Sequence, residues 1–190
     1  MPIDGDDNSL DLSLDLGSGD GLEDIPSADA DMQLLLGEDA IKAGLRSSQL
    51  REMFEYYLSL REGGQHLPPR SRFNPAEKPR HLPNIFLVER EVQPDGSIDY
   101  RYRVYGTGLT VLFGAEMTGK LVSEFPGKNR AARSRKIMDQ VVALKRPVRT
   151  AGNFVTRNGM PVFGESLVMP FGENGAVTHL LADLDYDRGA

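Results

Sequence analysis

The chain has 190 residues, 39% of them hydrophobic, which suits one ordinary domain with a single core, with or without an extension. Its formal charge of −6 is unevenly spread: residues 1 to 40 carry 12 acidic and no basic side chains, formally −12, whereas the remaining 150 carry 16 acidic and 22 basic, formally +6. Cysteine is absent, which excludes disulfides, thiolate metal sites, cysteine nucleophiles and cysteinyl cofactor adducts together.

Residues 1–47 read as an acidic, largely disordered arm, because like-charge repulsion and sparse apolar content oppose folding there. Leu10, Leu12, Leu14 and Leu16 alternate with Asp and Ser, so the arm is either a solubilising tail or a short motif that adds to a partner or folds back on the basic body. Near its end Met32, Leu35, Leu36, Ala40 and Ala43 allow a short helix interrupted around Gly37. Over 48–64 the signal is stronger. Leu50, Met53, Phe54, Tyr57, Leu58 and Arg61 recur at helical spacing, Ser47 or Ser48 is placed to cap the start, and Gly63-Gly64 supply a left-handed stop. So apolar a stripe must be covered, either by the chain's own sheet or by another molecule; Leu50, Met53, Phe54, Tyr57 and Leu58 are therefore candidate dimer or partner contacts. Residues 65–84 hold Pro68, Pro69, Pro75, Pro79 and Pro83, a stiff connector with one helical turn at Pro75.

From residue 85 the pattern alternates between sheet and helix. Ile85-Phe86-Leu87-Val88 has the length and branching of a buried strand, Gln93-Pro94-Asp95-Gly96 is a turn, and Ile98, Tyr100, Tyr102 and Val104 alternate with polar residues, predicting an antiparallel hairpin. Gly106-Thr107-Gly108 is a hinge where the period changes from two to helical, with Leu109, Leu112 and Phe113 following. After Pro126-Gly127, residues 128–145 form a longer helix with Ile137, Met138, Val141, Val142 and Leu144 on one face, ended by Arg146-Pro147. Three strands follow at 148–157, 161–170 and 176–185, joined by turns at Asn158-Gly159 and Glu173-Asn174-Gly175.

Several chemistries are weighed and set aside. Gly114 to Lys120 fits seven positions of a phosphate-binding loop, yet Leu121 stands where a hydroxyl must hold Mg²⁺, so the run reads as a turn. Gly106-Thr107-Gly108 lacks the third glycine of a dinucleotide fingerprint, since Val111 occupies that position. His66, His81 and His179 have no carboxylate or second histidine at metal spacing; the first two read as solvated or packing residues of the connector. Lys128, Arg130, Arg133, Arg135 and Lys136, with Lys145, Arg146 and Arg149 beyond, invite a nucleic-acid reading, but aromatic residues are missing from that stretch and the acidic arm competes with phosphate. A solvated helix face is the expectation, with no nucleic acid bound. Glu89, Glu91, Glu165 and Asp183 are the strand carboxylates, expected in salt bridges with Arg101 and Arg103 across the sheet. No apolar run approaches the roughly 18 to 20 residues of a membrane span, and the acidic start is the opposite of a signal peptide's, so a cytoplasmic location is expected.

The order of elements resembles a PAS domain: an α+β fold with a five-stranded antiparallel sheet in order 2-1-5-4-3 and a helical crossover between the strand pair and the strand triple. Fragments along 48–185 are similar to an alphaproteobacterial family of single-PAS proteins, formerly a domain of unknown function. They include the helix Leu50-Arg51-Glu52-Met53-Phe54-Glu55-Tyr56-Tyr57, then Phe73-Asn74-Pro75, Leu82-Pro83-Asn84, Phe86-Leu87-Val88-Glu89, Tyr102-Arg103-Val104-Tyr105-Gly106-Thr107, Phe113-Gly114, Met117-Thr118-Gly119-Lys120, Pro147-Val148 and Met169-Pro170. On this resemblance residues 85–187 are the PAS-like domain, and the role is a sensor or adaptor, not an enzyme. No output domain follows the last strand, so the output is expected to be a partner, such as a histidine kinase or another PAS protein, with a homodimer among the expected assemblies. The pocket between sheet and helices would be lined by Tyr102, Val104, Leu112, Phe113, Met138, Val141 and Val168, with His179 reaching in; apart from His179, the same residues serve equally as an ordinary filled core. No cofactor is identified. Haem ligation usually comes from a histidine on the long helix, which has none here, and cysteinyl-flavin chemistry lacks its cysteine. The competing reading is a small enzyme or carrier of hydrophobic metabolites using the same cavity, favoured if a polar group such as His179 or Glu165 points into it.

Overall fold

The computed structural model describes residues 33–63 and 67–187, so His66, Gly64 and the acidic arm up to residue 32, with its alternating leucines, lie outside the described residues. Six segments, five of them from residue 85 onward, build one antiparallel sheet. Its strands are β1 (Gln33–Leu36), β2 (Ile85–Val92), β3 (Ile98–Tyr105), β4 (Val148–Val155), β5 (Pro161–Glu173) and β6 (Ala176–Tyr186). Their spatial order is β1-β4-β5-β6-β2-β3. Without β1 this is the expected five-stranded 2-1-5-4-3 arrangement, read from β3 to β4.

β1 is a correction to the sequence reading. Leu35 and Leu36 belong to an edge strand in register with Arg149 and Val148, and only the segment after Gly37 is helical, as α1 (Glu38–Gly44). Gly37 sits at φ +90°, a conformation that suits the abrupt change from strand to helix. Four residues are too few for a periodicity to register, and the free edge of β4 supplies hydrogen bonds that no local propensity reveals.

Both faces of the sheet are covered, each with its own core. On one lies α2 (Ser48–Ser59), whose Leu50, Met53, Phe54 and Tyr57 pack on Leu87, Leu167, Met169, Phe171 and Leu181. Ser47 caps α2, accepting from the Leu50 amide at 3.1 Å. The buried Glu165 carboxylate strengthens this start by accepting the Ser47 amide at 2.8 Å and the Arg46 amide at 3.1 Å. Arg149 neutralises it, at 2.6 Å and 2.8 Å to Oε1, so Glu165 pairs with its β4 neighbour and not with Arg101 or Arg103. Those two arginines do bond Glu91 and Glu89 across β2 and β3, as expected. The connector folds as short 3-10 turns at Arg70–Arg72, Pro75–Glu77 and Leu82–Asn84, which lead the chain beneath α2 and into β2.

On the other face lie α3 (Thr107–Phe113), a 3-10 turn at Val122–Glu124, and α4 (Lys128–Leu144). Tyr100, Tyr102, Tyr105, Met117, Met138, Val141, Val168 and Leu180 form the core beneath them. Two contacts pin α4 to β3: the Tyr100 hydroxyl donates to Asp139 at 2.5 Å, and Arg135 donates to the Ile98 carbonyl. Arg149, grouped by sequence with the basic residues of α4, is buried beneath α2's start instead.

Candidate functional site

The candidate site is a cavity of about 160 Å³ between the sheet and α3–α4. Its shape begins with a β-bulge. Register along β2 and β3 runs Leu87 to Val104 and Val88 to Tyr102, leaving Arg103 as an extra residue. The bulge inverts the alternation at its end. Val104 turns to the α2 face, where it packs with that core, and Tyr105 turns inward to line the cavity. Strict period-two reading therefore assigns Val104 to the pocket wrongly and misses Tyr105. Tyr102 and Tyr105 stack edge to face, with centroids 5.1 Å apart, and Phe86 meets Tyr102 in the same way at 5.5 Å. Phe113, Phe125 and Phe154 complete the aromatic wall, Phe113 lying 6.0 Å from Phe125 and 5.6 Å from Phe154.

Of the residues named from sequence, Tyr102, Phe113, Met138 and Val168 line the cavity. Leu112 and Val141 are buried but stand outside the lining. His179 is displaced by a second irregularity, between Phe171 and Gly172, which puts it opposite Phe171 on the α2 face near Arg70 and Glu89. Burial there holds its imidazole below the ordinary range, with Glu89 opposing. Glu165 is likewise on the far side, so neither group that would favour catalysis reaches the cavity. Among the described residues the lining contains no histidine and no carboxylate. Leu50, Met53, Phe54 and Tyr57 are fully buried against the chain's own sheet and Leu58 is half-buried, so a dimer through this stripe would first have to lift α2 from its core.

The polar groups of the cavity come mainly from α4 and the strands. Arg130 is half-buried on the first turn of α4; its guanidinium lies 5.0 Å from the Phe113 ring centre and 5.8 Å from that of Phe125, and one N–H donates to the Val155 carbonyl at 2.9 Å. Burial lowers its pKa, with Tyr105 acting against that shift. Sequence spacing treated this residue as part of a solvated basic face, because the aromatic partners come from α3 and the loop before α4 and not from the helix itself. Arg133 and Ser134 also border the space. On the sheet floor the Thr150 and Ser166 hydroxyls bond each other at 2.7 Å. Burial pushes the Tyr102 and Tyr105 hydroxyls well above the ordinary phenol range, so both are protonated donors at neutral pH.

The hinge that admits α3 depends on glycine for space. A Cβ on Gly106 would stand 2.3 Å from the Pro83 carbonyl oxygen, and one on Gly108 would stand 2.6 Å from Asn84 Oδ1. The run that mimicked a phosphate loop covers the outer edge of β3: the Gly119 amide donates to the Tyr102 carbonyl at 2.7 Å and the Tyr102 amide to the Lys120 carbonyl at 2.9 Å. Among the described residues no group of three or more potential metal ligands is found, and no helix is long and apolar enough to cross a membrane.

Three solved structures resemble this one. They are an RNA-binding light-oxygen-voltage receptor (16% identity, 62% of this chain and 35% of that chain, TM-score 0.41), a variant of the light-oxygen-voltage protein RsLOV (15%, 58% and 64%, 0.41) and a fungal light-oxygen-voltage domain photoreceptor (12%, 76% and 97%, 0.40). The chain spans about a third of the length of the first and just under two thirds of the second. No curated protein matches it significantly in sequence. A family model described as a PAS domain matches residues 45–183, from the end of α1 to Asp183, the last residue of β6 that pairs with β2, and the chain belongs to the PAS domain family.

Proposed function

We propose that this PAS chain is a cytoplasmic signalling adaptor, which reads a small ligand in the cavity and acts through contact with a partner such as a histidine kinase or another PAS protein. The observation that carries this reading is the cavity itself, which the core leaves open at about 160 Å³ between the sheet and α4. A filled core would argue for a purely structural domain. The absence of a carboxylate or histidine from the described lining favours sensing over acid–base catalysis. α4 borders the cavity with Arg130, Ser134 and Met138 and is tied to the sheet through Asp139 and Arg135, so a bound molecule touches the element whose opposite side faces solvent. The test is capture of partners from cells by the full chain, followed by reconstitution. A recovered kinase or PAS protein whose activity changes on adding the chain supports the adaptor; recovery of none overturns it.

A further inference from the structure

The cavity's walls, charge and size specify a ligand class, and this step rests on the cavity being the sensing site. Arg130 is the key group. It is half-buried, faces the cavity, and makes no ion pair among the described residues; one of its N–H groups donates to the Val155 carbonyl. A guanidinium has five donors and loses hydration on burial, so the remaining N–H groups favour an anion, best a planar carboxylate that accepts two of them side by side. Beside it stand Phe113 and Phe125, and the two tyrosine hydroxyls of Tyr102 and Tyr105 make no hydrogen bond with any described residue. These supply ring-stacking surface and two further donors.

The size narrows the choice. An apolar cavity near 150 Å³ accommodates a benzene ring, so 160 Å³ admits one six-membered ring with a small substituent. The charge narrows it again. Arginines line the α4 side alone, whereas the sheet floor presents Val168, Ala182 and the mutually bonded Thr150 and Ser166. A second anionic group reaching that floor would be buried without a partner, at a cost of several kcal/mol.

We propose that the cavity binds a monocyclic aromatic monocarboxylate, with its ring against the Phe113–Phe125–Tyr105 wall and its carboxylate on Arg130. The test uses calorimetric titration of the full chain with benzoate, the neutral analogue benzyl alcohol, and the dianion terephthalate, whose second carboxylate lies across the ring from the first. Benzoate is expected to bind and to raise the melting temperature, with benzyl alcohol and terephthalate each about tenfold or more weaker. Arg130→Met is expected to lose about tenfold in benzoate affinity while keeping that for benzyl alcohol. Equal affinity for benzoate and benzyl alcohol overturns carboxylate recognition and leaves the sensing cavity standing, and this comparison needs no variant to fold. Terephthalate binding tighter than benzoate overturns the single-charge assignment. Failure of all three probes and of toluene to bind overturns the sensing-cavity reading itself, and the ligand class with it.

Discussion

His81 and Asp183 show how much a single pair can decide. The sequence reading left His81 as a solvated or packing residue of the connector, yet it is 1% exposed and its Nδ1 lies 2.5 Å from Oδ2 of Asp183, which is 0% exposed. The partners are 102 residues apart, so no local spacing brings them together. Gln49 on α2 donates to the other oxygen of Asp183 at 3.3 Å, Glu52 stands 3.8 Å from His81 Nε2, and Lys78 is the cation facing the ring. Burial disfavours the imidazolium, but the hydrogen bond and charge of Asp183, helped by Glu52, outweigh it and raise the His81 pKa above its usual 6.5. Burial also raises Asp183, against His81's pull. A pKa raised on folding means tighter proton binding in the folded chain. The stabilisation is therefore complete below about 6.5 and is lost as pH climbs through the raised value. The thermal midpoint should thus fall as pH rises above about 6.5 and through the raised His81 value in the wild type. His81→Leu, which strands a buried carboxylate, should cost about 3–5 kcal/mol near pH 6 and flatten that profile. Denaturant titrations across the range check both, and an equally steep decline in the variant would remove His81 as its cause.

The elements were largely legible because their signals are local. α2 appears from its stripe and its cap, β2 and β3 from alternation around a Pro-Asp-Gly turn, and α4 from a Gly-bounded apolar face. What stayed hidden arises between elements: the bulge at Arg103 that exchanges Val104 for Tyr105, the irregularity that turns His179 away, the short β1 on the edge of β4, and Arg130's aromatic seat. In each case a partner distant in sequence fixes the outcome. The hinge before α3 was visible as a change of period, but its glycines turn out to serve close approach: Gly106 has φ −64°, which any residue adopts, and the Pro83 carbonyl occupies the place of a side chain. Gly106→Ala is therefore expected to destabilise the fold by about 1–3 kcal/mol through overpacking against backbone. Gly96→Ala serves as a contrast, since φ +82° strains it but nothing lies within 4 Å, and a cost of about 1 kcal/mol is expected. Urea midpoints compare the two, and a smaller loss for Gly106→Ala would show that the connector yields.

At the scale of the molecule the sheet is shared property. Leu87, Leu167, Met169, Phe171 and Leu181 support α2 on one face, while Val88, Val168, Leu180 and Ala182 support the cavity on the other, and these residues belong to the same β2, β5 and β6. Alternate side chains of one strand thus serve opposite cores, so a strand cannot loosen for one without disturbing the other. The buried Arg149–Glu165 pair adds a polar link, since the carboxylate that anchors the start of α2 is held by an arginine of β4, the strand whose Thr150 and Ala151 floor the cavity. Phe54 is 0% exposed in the α2 core and far from the cavity lining, which makes it the discriminating position. Phe54→Ala is expected to lower the stability of the whole chain by about 3–5 kcal/mol in a single transition. Amide hydrogen exchange of α2 and of Tyr102 and Tyr105 on β3 should then accelerate together as denaturant is added. If the α2 amides exchange first while the β3 amides stay protected, the two cores are independent, and occupancy of the cavity would have to reach a partner through α4 alone.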